Sequence, residues 1–393
     1  EWLAMQAMLL NAQGQPDQSL ALANEALAIV PEADAYVRSL IYGGLATSYI
    51  QKNDGPQVVE AYQQLIQYGR MAGSLLSELM GIAGLGLFLL ERGQLQFAFD
   101  LAKEGIESVE RSGTLPPISG AIYGELASIY YDRYQLEEAD AHLVRSAQVS
   151  VLSGYSDAEV FYHVILSRLA LMKGDIATAV TEMNTAMDLT EIEAPTAVRE
   201  EVVGQRVRVA LAQDLVAEAE ALLKPHGFVF QPALTIPDFA AGQALNRPTS
   251  VLYNSALRIL LHQAQHQGLP VYLDDGIELA DRLLSEARKS QPLPIVIETL
   301  LIRAQIHNEL GDEVAARSDI LTALELGEPE GFITIFLEAG PPVTDLLARL
   351  LMGEQLQGSQ REYVRKIMDA AAESVNPSVA EAPEVASPHE TLV

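Results

Sequence analysis

At 393 residues the chain is longer than one ordinary core, which leaves several domains or one elongated array. Apolar residues make up 49% of it and aromatics only 6%, a balance that suits Ala/Leu-rich helix packing over a β-sandwich core. Cysteine is absent, which excludes disulfides, thiolate nucleophiles and zinc–sulfur sites; the net charge of −28 argues against nucleic-acid binding, which needs clustered Lys and Arg.

The start carries no basic region followed by an apolar stretch, and no window approaches the roughly 18 uninterrupted apolar residues of a membrane span. A soluble, cytoplasmic protein without membrane contact is expected, and Glu1 in place of Met points to a segment of a longer chain. In chain order, a weak helical repeat surrounds Gly14, and a second reads LATSYIQKNDGPQVVEAYQQL from Leu45. Clearer copies follow as LGLFLLERGQLQFAFDLAKEG from Leu85, LASIYYDRYQLEEADAHLVRS from Leu126 and LSRLALMKGDIATAVTEMNTA from Leu166. The pattern returns as RAQIHNELGDEVAARSDILTA from Arg303.

In each clear copy a small residue (Gly86, Ala127, Ser167, Ala304) stands twelve positions before an alanine (Ala98, Ala139, Ala179, Ala316), with a turn between them at Gly93, Tyr134, Gly174 or Gly311. That spacing predicts a helical hairpin: the small residue lets the second helix approach, and the turn residue takes the left-handed conformation that ends the first. Pro31, Pro56 and Pro116 fall at expected helix boundaries, where proline is tolerated. Hairpins are expected at about 1–30, 34–72, 74–113, 116–153, 157–190, 194–224, 250–290 and 292–327. Residues 225–249 hold three Phe and four Pro without helical period and are expected as an irregular connection; 373–393 reads as a flexible linker.

These residues resemble the tetratricopeptide (TPR) pattern, although the turns Gly14, Asn53, Gly93, Tyr134 and Gly174 lie 39 to 41 residues apart, against about 34 in the standard repeat. The expected fold is all-α, a right-handed superhelical solenoid of about eight TPR-like hairpins. The segment EPEGFITIFLEAGPPVTDLL, Glu328 to Leu347, resembles the closing signature of the helical sensor domain of MalT-like, ATP-dependent LuxR-type transcription regulators. The Gly311–Asp312 turn with Ala315, Ala316, Leu321 and Ala323 fits the last repeat of that domain. The repeats place hairpins one to six over 1–224, and a C-terminal helix is expected over 352–372; the resemblance implies MalT-like terminal repeats and closing segment over 250–351. It also implies an ATPase module and a helix-turn-helix module elsewhere in the full-length protein. Neither a GxxxxGK[ST] motif nor a basic recognition helix after residue 373 is present, so no direct nucleic-acid binding by this segment is expected.

A catalytic constellation is not legible, and no enzyme activity, cofactor or metal is expected. His262 and His266, in HQAQH, stand one helical turn apart, but a zincin needs Glu at position 263, where this chain has Gln263; the pair reads as two exposed polar residues on a Gln-rich helix. Glu137, Glu138 and Asp140 read as the start of a second helix, and Gly81, Gly84 and Gly86 as close-packing positions within one. In a hairpin solenoid the first helices line the concave surface. Aligning the repeats projects Thr47, Gln51, Leu87, Glu91, Ser128, Tyr131, Asp132, Arg168 and Met172 toward that groove. Tyr131, Asp132 and Arg168 place aromatic, acidic and basic groups on adjacent repeats, which suits a sugar or another polar small molecule. The expected function is that of an effector-binding and signal-transmitting domain, its partner a small-molecule inducer or a protein effector. A TPR scaffold holding a protein or peptide partner in its groove is the alternative; the sparse basic residues of the projected groove speak against peptide-carboxylate capture.

Overall fold

The computed structural model describes residues 2–151, 157–190, 196–230, 234–237, 247–267, 271–290, 292–353 and 356–375. The expected connection at 225–249 is therefore described only in part, and the expected linker beyond residue 375 lies outside the described residues. The helices follow one another as hairpins: α1 (Trp2–Ala12) with α2 (Pro16–Ile29), α3 (Ala35–Gln51) with α4 (Gly55–Met71), α5 (Leu75–Glu91) with α6 (Leu95–Ser112), and α7 (Ser119–Asp132) with α8 (Leu136–Val151). Next come α9 (Asp157–Met172) with α10 (Ile176–Thr190), α11 (Thr196–Ala212) with α12 (Val216–Leu223), α13 (Arg247–Gln267) with α14 (Val271–Ser290), and α15 (Leu293–Glu309) with α16 (Glu313–Gly327). A closing segment follows, formed by α17 (Thr334–Glu338), α18 (Pro341–Met352) and α19 (Gly358–Val375). Among the described residues the extended structure amounts to one antiparallel bridge, Val229 with Thr235. No described helix is long and apolar enough to cross a membrane.

The hairpin turns share one device. Gly14, Asn53, Gly93, Tyr134, Gly174 and Gly311 all adopt positive φ, and Asp214 does the same between α11 and α12. After each, the next backbone N–H bonds the carbonyl five residues back, as in Asp54 to Tyr49 (3.0 Å), Gln135 to Tyr130 (2.8 Å) and Leu215 to Ala210 (2.9 Å). This six-to-one closure satisfies carbonyls that the helix end would otherwise leave without a donor. Two second helices begin on acidic caps: Asp175 accepts from the Thr178 N–H at 3.0 Å, and Asp312 from that of Ala315 at 3.0 Å.

Two compact units divide the chain. The first comprises 1–90, 94–129 and 141–154; the second comprises 91–93, 130–140 and the chain from 155 on. Within the first, Ala4, Ala7, Ala23 and Ala26 pack on Val37, Ile41 and Leu45 of α3. Small side chains at the hairpin crossing allow polar stitching as well, with the Ser19 hydroxyl donating to the Ala7 carbonyl at 2.8 Å. Gly86 marks the closest approach: a Cβ there would lie 2.1 Å from Oε2 of buried Glu125.

Within the second unit the same crossing recurs as Ser167 Oγ donating to the Ala179 carbonyl at 3.0 Å, with Ala179 fully buried. One of its cores gathers Leu252, Tyr253, Leu257 and Leu260 of α13 with Leu279 and Leu283 of α14 and the aromatic residues Phe228 and Phe230. The closing segment is anchored by Phe332 and Phe336, both buried, and by Tyr363, whose hydroxyl donates to the Phe332 carbonyl.

Candidate functional site

Within the second unit, the inner side chains of four first helices meet the closing segment at a buried cluster of charge. Arg168 on α9 and Arg208 on α11 each stand six residues before the left-handed turn residue of their hairpin, at Gly174 and Asp214. They are equivalent positions, and Thr47, Leu87 and Ser128 hold the same register earlier in the chain. Arg258 on α13, Glu298 on α15 and Glu338 at the end of α17 complete the group. Arg168 grips Glu338 with a fork, Nε to Oε1 at 2.6 Å and Nη2 to Oε2 at 2.7 Å. Arg208 links the two carboxylates, giving Nη1 to Glu338 at 3.0 Å and Nη2 to Glu298 at 2.7 Å. Arg258 Nη2 donates to Glu298 at 2.7 Å, and Asn254 Nδ2 donates to its other oxygen at 2.9 Å. Asn254 is itself held by the Thr299 hydroxyl at 2.9 Å. The Tyr131 hydroxyl also donates to Glu338, and the Arg168 guanidinium lies 5.4 Å from the centre of the Tyr131 ring.

Glu338 is 2% exposed at its side chain, so it survives as an anion only because these partners replace its water. Burial alone would raise its carboxyl pKa; Arg168 and Arg208 outweigh that and hold it well below the usual carboxylate range. The same contest brings Glu298 down to about 2, with burial opposed by Arg258 and Arg208. Burial, reinforced by Glu338, pushes the Tyr131 phenol well up, so Tyr131 is a fixed proton donor. For Arg258, burial and the neighbouring charge of Arg208 lower the pKa against the support of Glu298.

The arrangement opens onto a cavity of about 340 Å³, within the size range of small-molecule sites, lined by Arg168, Met172, Gln205, Arg258, His262 and Gln305 among others. Among the described residues Arg258 spends one donor, on Glu298, so the remaining donors of its guanidinium stand at the cavity wall. A smaller hollow of about 60 Å³ adjoins the cluster and includes Tyr131, Asp132 and Glu201 in its wall.

The bearer of Glu338 is distinctive. Its helix is five residues long and lies between Gly331 (φ +78) and Gly340 (φ +85), backbone conformations that L side chains rarely adopt. It docks through the Ile333 N–H on the Asp132 carbonyl (2.7 Å), the Thr334 hydroxyl on the Tyr131 carbonyl, and Arg133 Nε on the Glu330 carbonyl (3.2 Å).

Of the residues projected to a groove, the structure thus gathers Tyr131, Asp132, Arg168 and Met172 at the two hollows. Tyr131 is buried rather than presented, and the fork of Arg168 is occupied by Glu338. Gln51 and Ser128 belong to the other compact unit; there the Gln51 amide donates to the Asn11 carbonyl at 3.0 Å and the Ser128 hydroxyl to that of Gly124 at 3.0 Å. Glu91 belongs to the second unit but lines neither hollow. Asp214 is not among the turns expected from the sequence, so Arg208, six residues before it, is missing from the projected groove. Arg258 and Glu298 lie beyond the interruption at 225–249, where the register is lost. The histidine pair also needs correction: His262 is only 14% exposed at its side chain and is joined by Asp214 of the α11–α12 turn, while Gln263 is fully buried against Glu220.

Comparison with known proteins agrees with this architecture. A curated relative, the HTH-type transcriptional regulator MalT of Serratia proteamaculans (strain 568), is 20% identical over 381 residues, covering 94% of this chain and 39% of the relative. The chain therefore spans about two-fifths of that protein's length. Among solved structures, the Rap protein complexed with competence and sporulation factor superposes with a TM-score of 0.57 at 13% identity, covering 95% of this chain and 98% of the other, which is a likeness of fold. Residues 1–352 match the family described as the MalT-like TPR region, and the chain belongs to that family.

Proposed function

We propose that this chain is the effector-sensing domain of a transcription regulator, and that its effector enters the cavity beside the arginine cluster and displaces Glu338. The observation that carries this reading is Glu338 itself, a carboxylate on a five-residue helix between two left-handed glycines, seated on Arg168 and Arg208 as a ligand would be. An internal group in that position gives the domain two states, one with Glu338 docked and one with the effector docked. Differential affinity for the two states is all that signal transmission requires. The family, and a relative more than twice this chain's length that is named as a helix-turn-helix regulator, support placing a DNA-binding module in the same polypeptide; the closing-segment resemblance adds an ATPase module and a cytoplasmic setting. In that setting release of the closing segment would alter self-association of the regulator, and the domain would transmit rather than catalyse.

The test is a thermal-shift screen against sugars, aromatic metabolites, nucleotides and peptides. A true effector raises the melting temperature with its concentration, because it binds the folded state alone. Glu338→Gln removes the internal competitor's charge and is expected to tighten that effector about fivefold or more. Met172→Trp, which fills the cavity, is expected to abolish it. A hit that both variants leave unchanged overturns the assignment to this cavity.

A further inference from the structure

The histidine pair on α13 has no part in the charge cluster, yet the fold brings it a third donor. His262 and His266 are one turn apart on the helix, and their rings stack at 4.0 Å between centroids with 19° between planes. Asp214, the left-handed residue of the α11–α12 turn, places Oδ1 2.8 Å from His262 Nε2. His266 Nδ1 lies 3.0 Å from the His262 carbonyl oxygen. A carbonyl only accepts, so Nδ1 carries the hydrogen and Nε2 is left with its lone pair outward. Metal-binding histidines are commonly oriented by such a bond from the opposite ring nitrogen.

We propose that Asp214, His262 and His266 form a binding site for a divalent transition-metal ion of the zinc, nickel or copper class. One ligand atom from each of the three lies within 4.8 Å of the others. Donors about 2 Å from a tetrahedral ion stand about 3.3 Å apart. Closing from 4.8 Å to that spacing calls for rotation of Asp214, 73% exposed at its side chain, and of His266, also exposed. Two imidazoles and one carboxylate suit the first-row metals from cobalt to zinc, whereas magnesium and calcium prefer oxygen ligands throughout. Asp214 and His266 line an open surface cleft together with Glu218, from which water would complete the coordination. The bound ion would fasten the turn of one hairpin to the first helix of the next. His262 also lines the larger cavity, so the ion would fix part of its wall.

The experiment is equilibrium dialysis of the chelator-treated 393-residue chain against Zn2+ and Ni2+, with helicity followed by circular dichroism. One ion per chain is expected at about 10 μM free metal. His266→Ala and Asp214→Asn, both at exposed positions that leave the helix core untouched, are each expected to weaken uptake about ten- to a hundredfold with helicity unchanged. Mg2+ is expected not to compete. Absence of uptake by the wild-type chain, or uptake that either variant leaves unchanged, overturns the site. Because no effector is involved, the outcome is separate from that of the sensing proposal.

Discussion

Glu125 and Glu338 are both buried carboxyls, and their surroundings send them in opposite directions. Glu125 lies under Gly86 in α5; its Oε2 has no hydrogen-bond partner among the described residues, and burial pushes its pKa well above the ordinary 4.5. Glu338 and Glu298, surrounded by guanidiniums, are held down. A raised carboxyl contributes stability that is present below its unfolded pKa and lost as pH rises through its folded one. A lowered carboxyl contributes stability that is present above its unfolded pKa and lost as pH falls, for Glu298 toward about 2. Thermal melts across pH are therefore expected to show a stability maximum with losses on both sides. Glu125→Met, of similar length and without an acceptor to satisfy, is expected to raise the melting temperature at pH 8 and flatten only the alkaline side. Equal effects at pH 5 and pH 8 would show that Glu125 is already ionised in the fold. The sequence exposed neither role, because a carboxyl's meaning here depends on whether an arginine from a distant helix reaches it.

Hairpins were legible because the demand behind them is local. A six-to-one closure needs a left-handed residue at one position, and the sequence supplies it about every 40 residues, mostly as glycine or asparagine. Tyr134 and Asp214 show that spacing carries more information than residue type: both take φ near +60 where few side chains do. Asp214 is not legible from residue type for that reason, and Arg208 and the third donor of the proposed metal site are hidden with it. The turns also differ in what surrounds them. A Cβ at Gly174 would meet nothing within 4 Å, whereas one at Gly93 would lie 2.8 Å from Leu293 Cβ. Gly174→Ala is expected to cost about 1–2 kcal/mol, the strain of the left-handed backbone alone. Gly93→Ala adds a clash and is expected to cost more, as measured by chemical unfolding; equal losses would mean that Leu293 yields freely.

At the scale of the molecule, 53 acidic residues against 25 basic leave a surface that repels itself. Raising salt from about 10 mM to 150 mM shortens the screening length from about 30 to 8 Å and is expected to raise the melting temperature. A fall instead would show that surface ion pairs outweigh the repulsion. Fold class and family were readable from repeats and from the closing signature, since each repeats a short-range rule. The charge cluster was not, because its partners are drawn from five helices and its register is broken between residues 224 and 250. The closing segment was recognised as a signature without any indication that its Glu338 would fill the groove position read as a binding surface.

Glu338 joins a partner 170 positions earlier in the chain. On a ribosome adding about 5–20 residues per second, Arg168 emerges roughly 10–30 seconds before the carboxylate that will neutralise it. Glu298 is made before Glu338 and can meet Arg208 first, so Arg168 is the arginine left waiting for its carboxylate in a nascent chain that is otherwise strongly acidic. The closing segment is thus the last piece of the cluster to be made, and the buried charges are fully paired only when synthesis has passed beyond it.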